Sequence, residues 1–407
     1  MLHARLADAG LHARLAGACL HIEKKHKLKN KRNMKFEVSS SSLFSQLQAV
    51  SRVIVPKNSL KILEDVLFEL NGSLLTMTAS DGETTIRTSM DVQAAEGGGK
   101  VAFGAKLLLD TLREFPEQPL TFVIDEQNFG LSITSSNGNY SFVGENGDEY
   151  PEMPVEENGG HSFAMPAESL LDAINKTIFC TADDELRPVM NGIFFDLRPE
   201  YLAMVATDAH RLVKLLRPAI KSEEAIQFIL PKKPAALLKN VLAKETDEVT
   251  VSCGAKNVRF AFGRTLMVCR QIEGKFPNYD AVIPQNNQNV VMVDRQTMYN
   301  ACKRVSVFAN SSTGQLKLAL SENSIRISAQ DIDFSTSAEE TISCSYEGMP
   351  MAIGFKAPFL IEILGLLTSP EVRLELADPA RAGLILPSED AEDEKLLMLL
   401  MPMLLND

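Results

Sequence analysis

The chain contains no tryptophan, and aromatic residues make up only 6% of it. That excludes a surface of stacked aromatic rings of the kind that holds unpaired bases. Histidine is nearly as scarce: of six, only His161 and His210 lie beyond the first 33 residues. The six cysteines (Cys19, Cys180, Cys253, Cys269, Cys302, Cys344) form no C-x-x-C pair. With so few soft ligands, no metal site, no cofactor and no disulfide framework is expected. The thiols read as reduced and mostly buried in a cytoplasmic protein. No apolar run is long enough to span a membrane, and the longest, 396–405, is broken by Pro402. There is no G-x-S-x-G elbow and no G-x-x-x-x-G-K-[ST] loop. The usual sequence marks of a serine hydrolase and of a phosphate-cradling NTPase are therefore missing.

What is present is acid. The net charge is −12, yet the first 33 residues hold eight Lys/Arg against two Asp/Glu, so the remainder carries −18. An acidic body does not coat itself with nucleic acid. Any DNA contact must come from a local basic surface.

Residues 1–33 stand apart. Leu-His-Ala-Arg-Leu-Ala occurs at 2–7 and again at 11–16, and a basic run follows from Lys24 to Arg32. An exact duplication followed by a low-complexity run reads as a start assigned too early, with Met34 the true first residue. The other reading is a basic targeting or nucleic-acid-binding arm.

From Met34 onward the chain repeats at the scale of a domain. Each copy opens with a short strand beginning at Phe36, Phe163 or Val290, positions spaced by 127 and 127. A helix follows, with apolar residues three and four apart: Leu43, Leu47, Val50 and Ile54 in the first copy, Met298, Ala301, Val305 and Phe308 in the third. Next comes a strand pair, 66–70 with 74–79, 193–197 with 202–207, and 316–320 with 324–329. Asn71-Gly72 and Glu322-Asn323 supply hairpin turns. An aspartate closes the second strand each time: Asp81, Asp208 and Asp331. A second helix then carries a basic residue early, at Lys106, Lys232 or Lys356. Further alternating strands end each copy.

The fold class expected is therefore α+β: three similar domains of antiparallel sheet, each with two helices. The boundaries expected are 34–151, 161–277 and 290–407, with Pro-rich linkers between them. Three like units in a row tend to form an arc, which a head-to-tail partner closes.

Within this frame, Ala206-Thr207-Asp208-Ala209-His210-Arg211-Leu212 invites a catalytic reading, with an acid, a base and a cation side by side. A triad needs three groups meeting in space and an oxyanion site. Asp81 and Asp331 occupy the same corner without a histidine, which makes Asp208 a structural residue. A scaffold of repeated domains that never closes on DNA is the remaining rival.

Met34-Lys35-Phe36, the 206–212 segment, Gly274-Lys275-Phe276-Pro277-Asn278-Tyr279 and Leu400-Met401-Pro402-Met403 occur in that order on the threefold repeat. Together they make the chain resemble the bacterial DNA polymerase III β subunit family, the sliding clamps. That resemblance implies a non-catalytic processivity factor, a head-to-tail homodimeric ring around duplex DNA. It implies an ATP-dependent clamp loader, and partners that include the polymerase α subunit and other proteins bearing a clamp-binding motif. It also implies a peptide groove between the second and third domains. Carried across residue by residue, the groove takes Met190, Thr207, Ala209, His210, Arg211, Leu212, Pro277, Val282, Phe359, Leu399, Leu400, Met401, Pro402 and Met403. The DNA-facing set is Arg52, Lys57, Lys106, Arg187, Lys232, Lys233, Lys303, Arg304 and Lys356, with Lys176 as a further candidate. The dimer seam takes Tyr140, Phe142, Val307 and Phe308, with Glu339 and Glu340 nearby. Ala209 stands where the family usually has glycine, so a slightly different backbone is expected there. Leu404 stands where the family often has a basic residue, which bears on preference at the groove's edge.

Overall fold

A computed structural model describes residues 33–154 and 160–405. Both readings of the N-terminal tail lie outside the described residues, Asn33 excepted. Two compact units divide the chain after Met153. The first contains one copy of the repeat and the second contains two.

Six helices occur among the described residues: α1 (Ser40–Val50), α2 (Ala105–Arg113), α3 (Ala167–Thr177), α4 (Lys232–Leu242), α5 (Arg295–Ser306) and α6 (Ala357–Leu366). They pack in pairs, α1 with α2, α3 with α4 and α5 with α6. Side chains start two of them. Ser39 accepts from the Ser42 amide, and Asp294 accepts from the Thr297 amide, each satisfying a donor that the first turn leaves free. Leu43, Leu47 and Val50 are buried along one face of α1, as their spacing predicts. Ile54 does not extend that face, because the chain tightens into a 3-10 turn at Ser51–Val53. Phe308 likewise falls past the end of α5.

All three copies build their sheets by one rule. The opening strand pairs with the first of the three closing strands, as Asn33–Ser39 does with Pro119–Asp125, and the other two follow in order. The four main strands between the two helices form a second antiparallel sheet, with the fourth beside the first. The sequence had left two of those four unplaced: Thr84–Asp91 and Gly99–Gly104 in the first copy, Arg211–Arg217 and Ile226–Pro231 in the second, and Thr336–Ser343 and Met351–Lys356 in the third. The first hairpin turns at Gly72-Ser73, one residue later than expected, because Asn71 still pairs with Leu74. Gly72 takes a φ of 59° there.

Within the second unit, Arg211–Arg217 pairs antiparallel with Lys395–Leu400, in register from Arg211 opposite Leu400 to Leu216 opposite Lys395. The pairing fuses a sheet of the second copy with a sheet of the third into one of eight strands. Both faces of the joint are filled. On one, Leu212, Phe276, Tyr279, Ile283, Leu384 and Leu399 share a buried cluster. On the other, Arg217 reaches Asp172 (2.5 Å) and Glu394 (2.9 Å), while Lys176 reaches the same two acids at 2.8 Å each. No helix among the described residues is long and apolar enough to cross a membrane.

Candidate functional site

The aspartate corner is the same device three times. Asp81 Oδ1 accepts from the amides of Glu83 (3.0 Å) and Thr84 (2.7 Å). Asp208 Oδ1 accepts from His210 (3.0 Å) and Arg211 (2.9 Å). Asp331 Oδ1 accepts from Asp333 (3.0 Å) and Phe334 (3.3 Å). A carboxylate taking amides two and three residues on closes a turn. That geometry accounts for Asp208 without chemistry.

What the second copy adds is a neighbour. The Met401 amide donates to the His210 carbonyl at 2.8 Å, continuing the 211–400 pairing past the strand's end. The Met403 amide then donates to the Gly354 carbonyl (2.8 Å), and Gln315 Nε2 holds the Leu404 carbonyl (2.9 Å). The C-terminal segment is therefore tied down as an extended strip. His210 and Phe359 rings lie 6.3 Å apart beside it. Met401 remains 42% exposed, and Pro402 and Met403 are half-buried. Flexible thioethers on a held backbone give an apolar surface that adapts to a ligand without refolding.

Arg211 braces the wall from behind. Its guanidinium bonds Asp208 (2.9 Å), Glu362 (2.5 Å) and the Phe179 carbonyl (2.9 Å), and lies 4.3 Å over the Phe359 ring. Burial works against its charge, but the hydrogen bonds to Glu362 and Asp208 outweigh that and raise its pKa. A cation so fully engaged is a strut and offers little to a ligand. Glu362 and Phe179 were missed in the sequence. Glu362 stands three residues after Phe359 on α6, so helical spacing alone put the two on one side.

Ala209 keeps a left-handed φ of 73°. The expected change of backbone does not occur, because Asp208 and the 208–211 hydrogen bond hold the turn whatever its side chain.

The remaining groove candidates are more spread. Leu212, Leu399 and Leu400 are buried beneath the surface. Val282 is 57% exposed at the end of a 3-10 turn, and Met190 is half-buried, its carbonyl accepting from Ala182 (2.8 Å). Pro277 lines a cavity of about 650 Å³ with Phe194, Asp196, Arg198, Phe276 and Tyr279. Asp196 is fully buried there. Burial opposes its charge, but hydrogen bonds from Arg198, Gln227 and Tyr279 prevail and hold its carboxyl below the usual range.

Several cations of the DNA-facing set already have partners. Lys232 pairs with Asp183 (2.5 Å), Arg187 with Asp184 (2.8 Å), and Arg304 bidentately with Glu340 (2.8 and 2.7 Å). Lys176 is held between Asp172 and Glu394. Lys303 lies over the Tyr299 ring, and Lys356 lies 4.9 Å over Phe359, which puts Lys356 at the rim of the groove. Arg52, Lys57, Lys106 and Lys233 are exposed. Lys57 adopts a φ of 64°, its amide donating to the Glu64 carboxylate.

The seam candidates stand at two open edges. Asn139–Val143 pairs on one side only, with Gly130–Thr134, and Thr336–Ser343 pairs only with Ser324–Asp331. Tyr140 packs edge-on against Phe115 at 5.0 Å and stays 40% exposed, and Val307 is 79% exposed.

A thrice-repeated antiparallel fold, with its catalytic-looking triplet spent on a turn and a strut, defines a binding protein. Family models for the N-terminal, central and C-terminal domains of the DNA polymerase III beta subunit match residues 34–154, 164–278 and 280–404, and the chain belongs to that family. Beta sliding clamps of Pseudomonas putida and Haemophilus influenzae are each 28% identical to it, covering 91% of this chain and all of theirs. Solved sliding clamps of Pseudomonas aeruginosa and Bartonella birtlesii, both bound to griselimycin, superpose with TM-scores of 0.86 and 0.85 at 27% and 28% identity. Each covers 92% of this chain and all of its own. The function is that of a sliding clamp in DNA replication, a processivity factor and not a catalyst.

Proposed function

We propose that two copies of this chain close head to tail around duplex DNA, through three clamp domains spanning 34–151, 161–277 and 290–407. The observation that carries this is the joint of the second unit, read with the two open edges. Arg211 and Thr336 are equivalent, since each pairs with its corner aspartate. Leu400 and Phe142 are equivalent, since counting paired residues across the sheets from the helix caps Asp294 and Ser39 reaches both at the same step. Repeating the 211–400 pairing between copies sets Thr336 against the partner's Phe142 and Ala338 against the partner's Tyr140. Val307 and Phe308 extend that face, and Glu339 and Glu340 fall within the same strand. One interface type used at every joint is how like units close a ring.

A ring retains DNA by topology, so its lining needs little affinity, and each added phosphate contact would slow sliding. The exposed Arg52, Lys57, Lys106 and Lys233, with Arg187, Lys232 and Arg304 partly neutralised by acids and Lys303 over the Tyr299 ring, suit a weak lining on an acidic body. Partners, among them the polymerase α subunit and the ATP-dependent loader, dock short apolar motifs on the strip formed by His210, Phe359, Met401, Pro402 and Met403. Met190, Thr207, Leu212, Pro277 and Val282 complete the surroundings of that groove. The cytoplasm is the compartment, in keeping with the buried thiols of Cys180 and Cys302, which join no disulfide. Burial pushes Cys302 up to about 12, which keeps it inert.

The test is retention. Loaded onto nicked circular DNA, the protein is expected to stay through gel filtration and to be lost once the circle is cut. Equal retention on circular and linear DNA would overturn the reading.

A further inference from the structure

The turn that follows Asp331 differs from its two counterparts. Asp81 and Asp208 each bond the residue three positions on, leaving two residues at the tip. Asp331 pairs with Thr336, leaving four: Ile332, Asp333, Phe334 and Ser335. Two of the four are large and apolar, and they stand in solvent, Ile332 80% and Phe334 75% exposed. Leu107 and Val143 are the most exposed of the large apolar side chains among the described residues of the first unit: Leu107 at 59%, on α2, and Val143 at 80%, at the end of an open edge strand. Each of these four side chains presents most of its surface to solvent.

The internal repeat relates them. Leu107 is the third residue of α2, as Phe359 is the third of α6. Val143 follows Phe142, as Met401 follows Leu400. In the joint of the second unit, Phe359 and Met401 are the residues that receive the corner turn. The Phe359 ring lies beside His210, and the Met401 amide bonds the His210 carbonyl. At a seam built the same way, the turn Ile332–Ser335 arrives over the partner's Leu107 and the partner's Val143.

We infer that this enlarged turn is an apolar clasp, seating Ile332 and Phe334 on the partner's Leu107 and Val143 and closing each seam of the dimer. The inference rests on the head-to-tail reading above and adds to it a contact outside the strand pairing. The occupant is a second copy for two reasons. The turn is continuous with the open edge Thr336–Ser343, so whatever pairs with that edge sits against it. Its apolar counterparts lie at the positions that receive the homologous turn. Exposed apolar side chains at matching places on two different edges that fit each other mark an interface. A few well-packed apolar anchors carry most of the energy of such a contact.

The experiment uses the full chain at falling concentration, with dimer dissociation followed by sedimentation. Four proteins are compared: wild type, the double variant Ile332→Ser/Phe334→Ser, Leu107→Ser, and Phe142→Asp in the strand pairing. The serine variants are expected to raise the dissociation constant by about tenfold or more. Their thermal unfolding should match wild type at concentrations low enough for every protein to be monomeric, because the altered side chains are exposed in the single chain. A Leu107→Cys/Phe334→Cys variant should yield a covalent dimer under mild oxidation that neither single variant gives. Dissociation unchanged in the serine variants, together with no cross-link, overturns the clasp while a dimer broken by Phe142→Asp leaves the seam standing. A wild type monomeric throughout, or indifferent to Phe142→Asp, sinks the head-to-tail reading and the clasp with it. If the serine variants dimerise normally but lose a partner peptide, the turn is a docking site and the clasp is wrong.

Discussion

Ala209 shows how a single residue is overruled by its neighbours. A left-handed φ costs an L-residue with a Cβ about 1 kcal/mol or more, and Asp208 enforces it nonetheless. Ala209→Gly removes that strain but gives the unfolded chain more freedom, which returns part of the gain. The expected net is a stabilisation of about 0.5–1 kcal/mol, a rise of about 1–3 °C in the melting of the second unit, with peptide binding intact. Calorimetry on the full chain checks it. Asp65 presents the opposite case, a residue the fold tolerates poorly when charged. Burial, with repulsion from Glu145, raises its pKa to about 6. The folded state thus favours the neutral acid. Asp65 adds stability that is complete below its ordinary value near 3.8 and is lost as pH rises through about 6. Asp65→Asn is expected to raise the first unit's melting temperature by about 2–4 °C at pH 8 and to confer nothing near pH 4. A benefit equal at both pH values would refute the account.

At the scale of elements, the joint between the second and third copies is held by more than strand pairing. Side-chain exposure is 7% at Arg217 and 10% at Glu394, with Asp172 and Lys176 completing the group. Arg217 Nε already lacks a hydrogen-bond partner. Removing one acid from such a cluster leaves buried positive charge uncompensated. Glu394→Ala is therefore expected to cost about 2–4 kcal/mol, read as a lower urea midpoint for the second unit. Pairing Glu394→Leu with Arg217→Met should recover much of it, since apolar replacements carry no desolvation penalty. Full loss in the double variant would mean that packing, and not charge, is what the cluster supplies.

For the whole molecule, retention and partner binding should separate. The groove lies within one chain and the seam between two, so a chain lacking residues 401–407 is expected to remain a dimer on closed circles while losing partner peptides. Retention on circles should respond weakly to salt, because topology is not screened. Residual binding to linear DNA should fall steeply with it. If Lys232, Arg187 and Arg304 face DNA as proposed, their pairing with Asp183, Asp184 and Glu340 is expected to keep that residual binding small.

Much of this is legible in the sequence. Threefold periodicity, the aspartate corner and the apolar C-terminal strip follow from the spacing of residue types, which local backbone geometry translates directly into strands, helices and turns. The sequence by itself therefore determined the repeat, the helix faces short of Ile54 and Phe308, and the reading of Asp208 as structural. It did not reveal the third and fourth strands of each middle sheet, whose pairing depends on partners far along the chain. Nor could it reveal that Arg211 is enclosed by Glu362 and Phe179, that Lys176 is neutralised by Glu394, or that Lys356 rests on Phe359. Those facts depend on which side chains long-range pairing brings within a few ångströms of one another. Charge compensation and burial are properties of that proximity, and only the tertiary structure decides them.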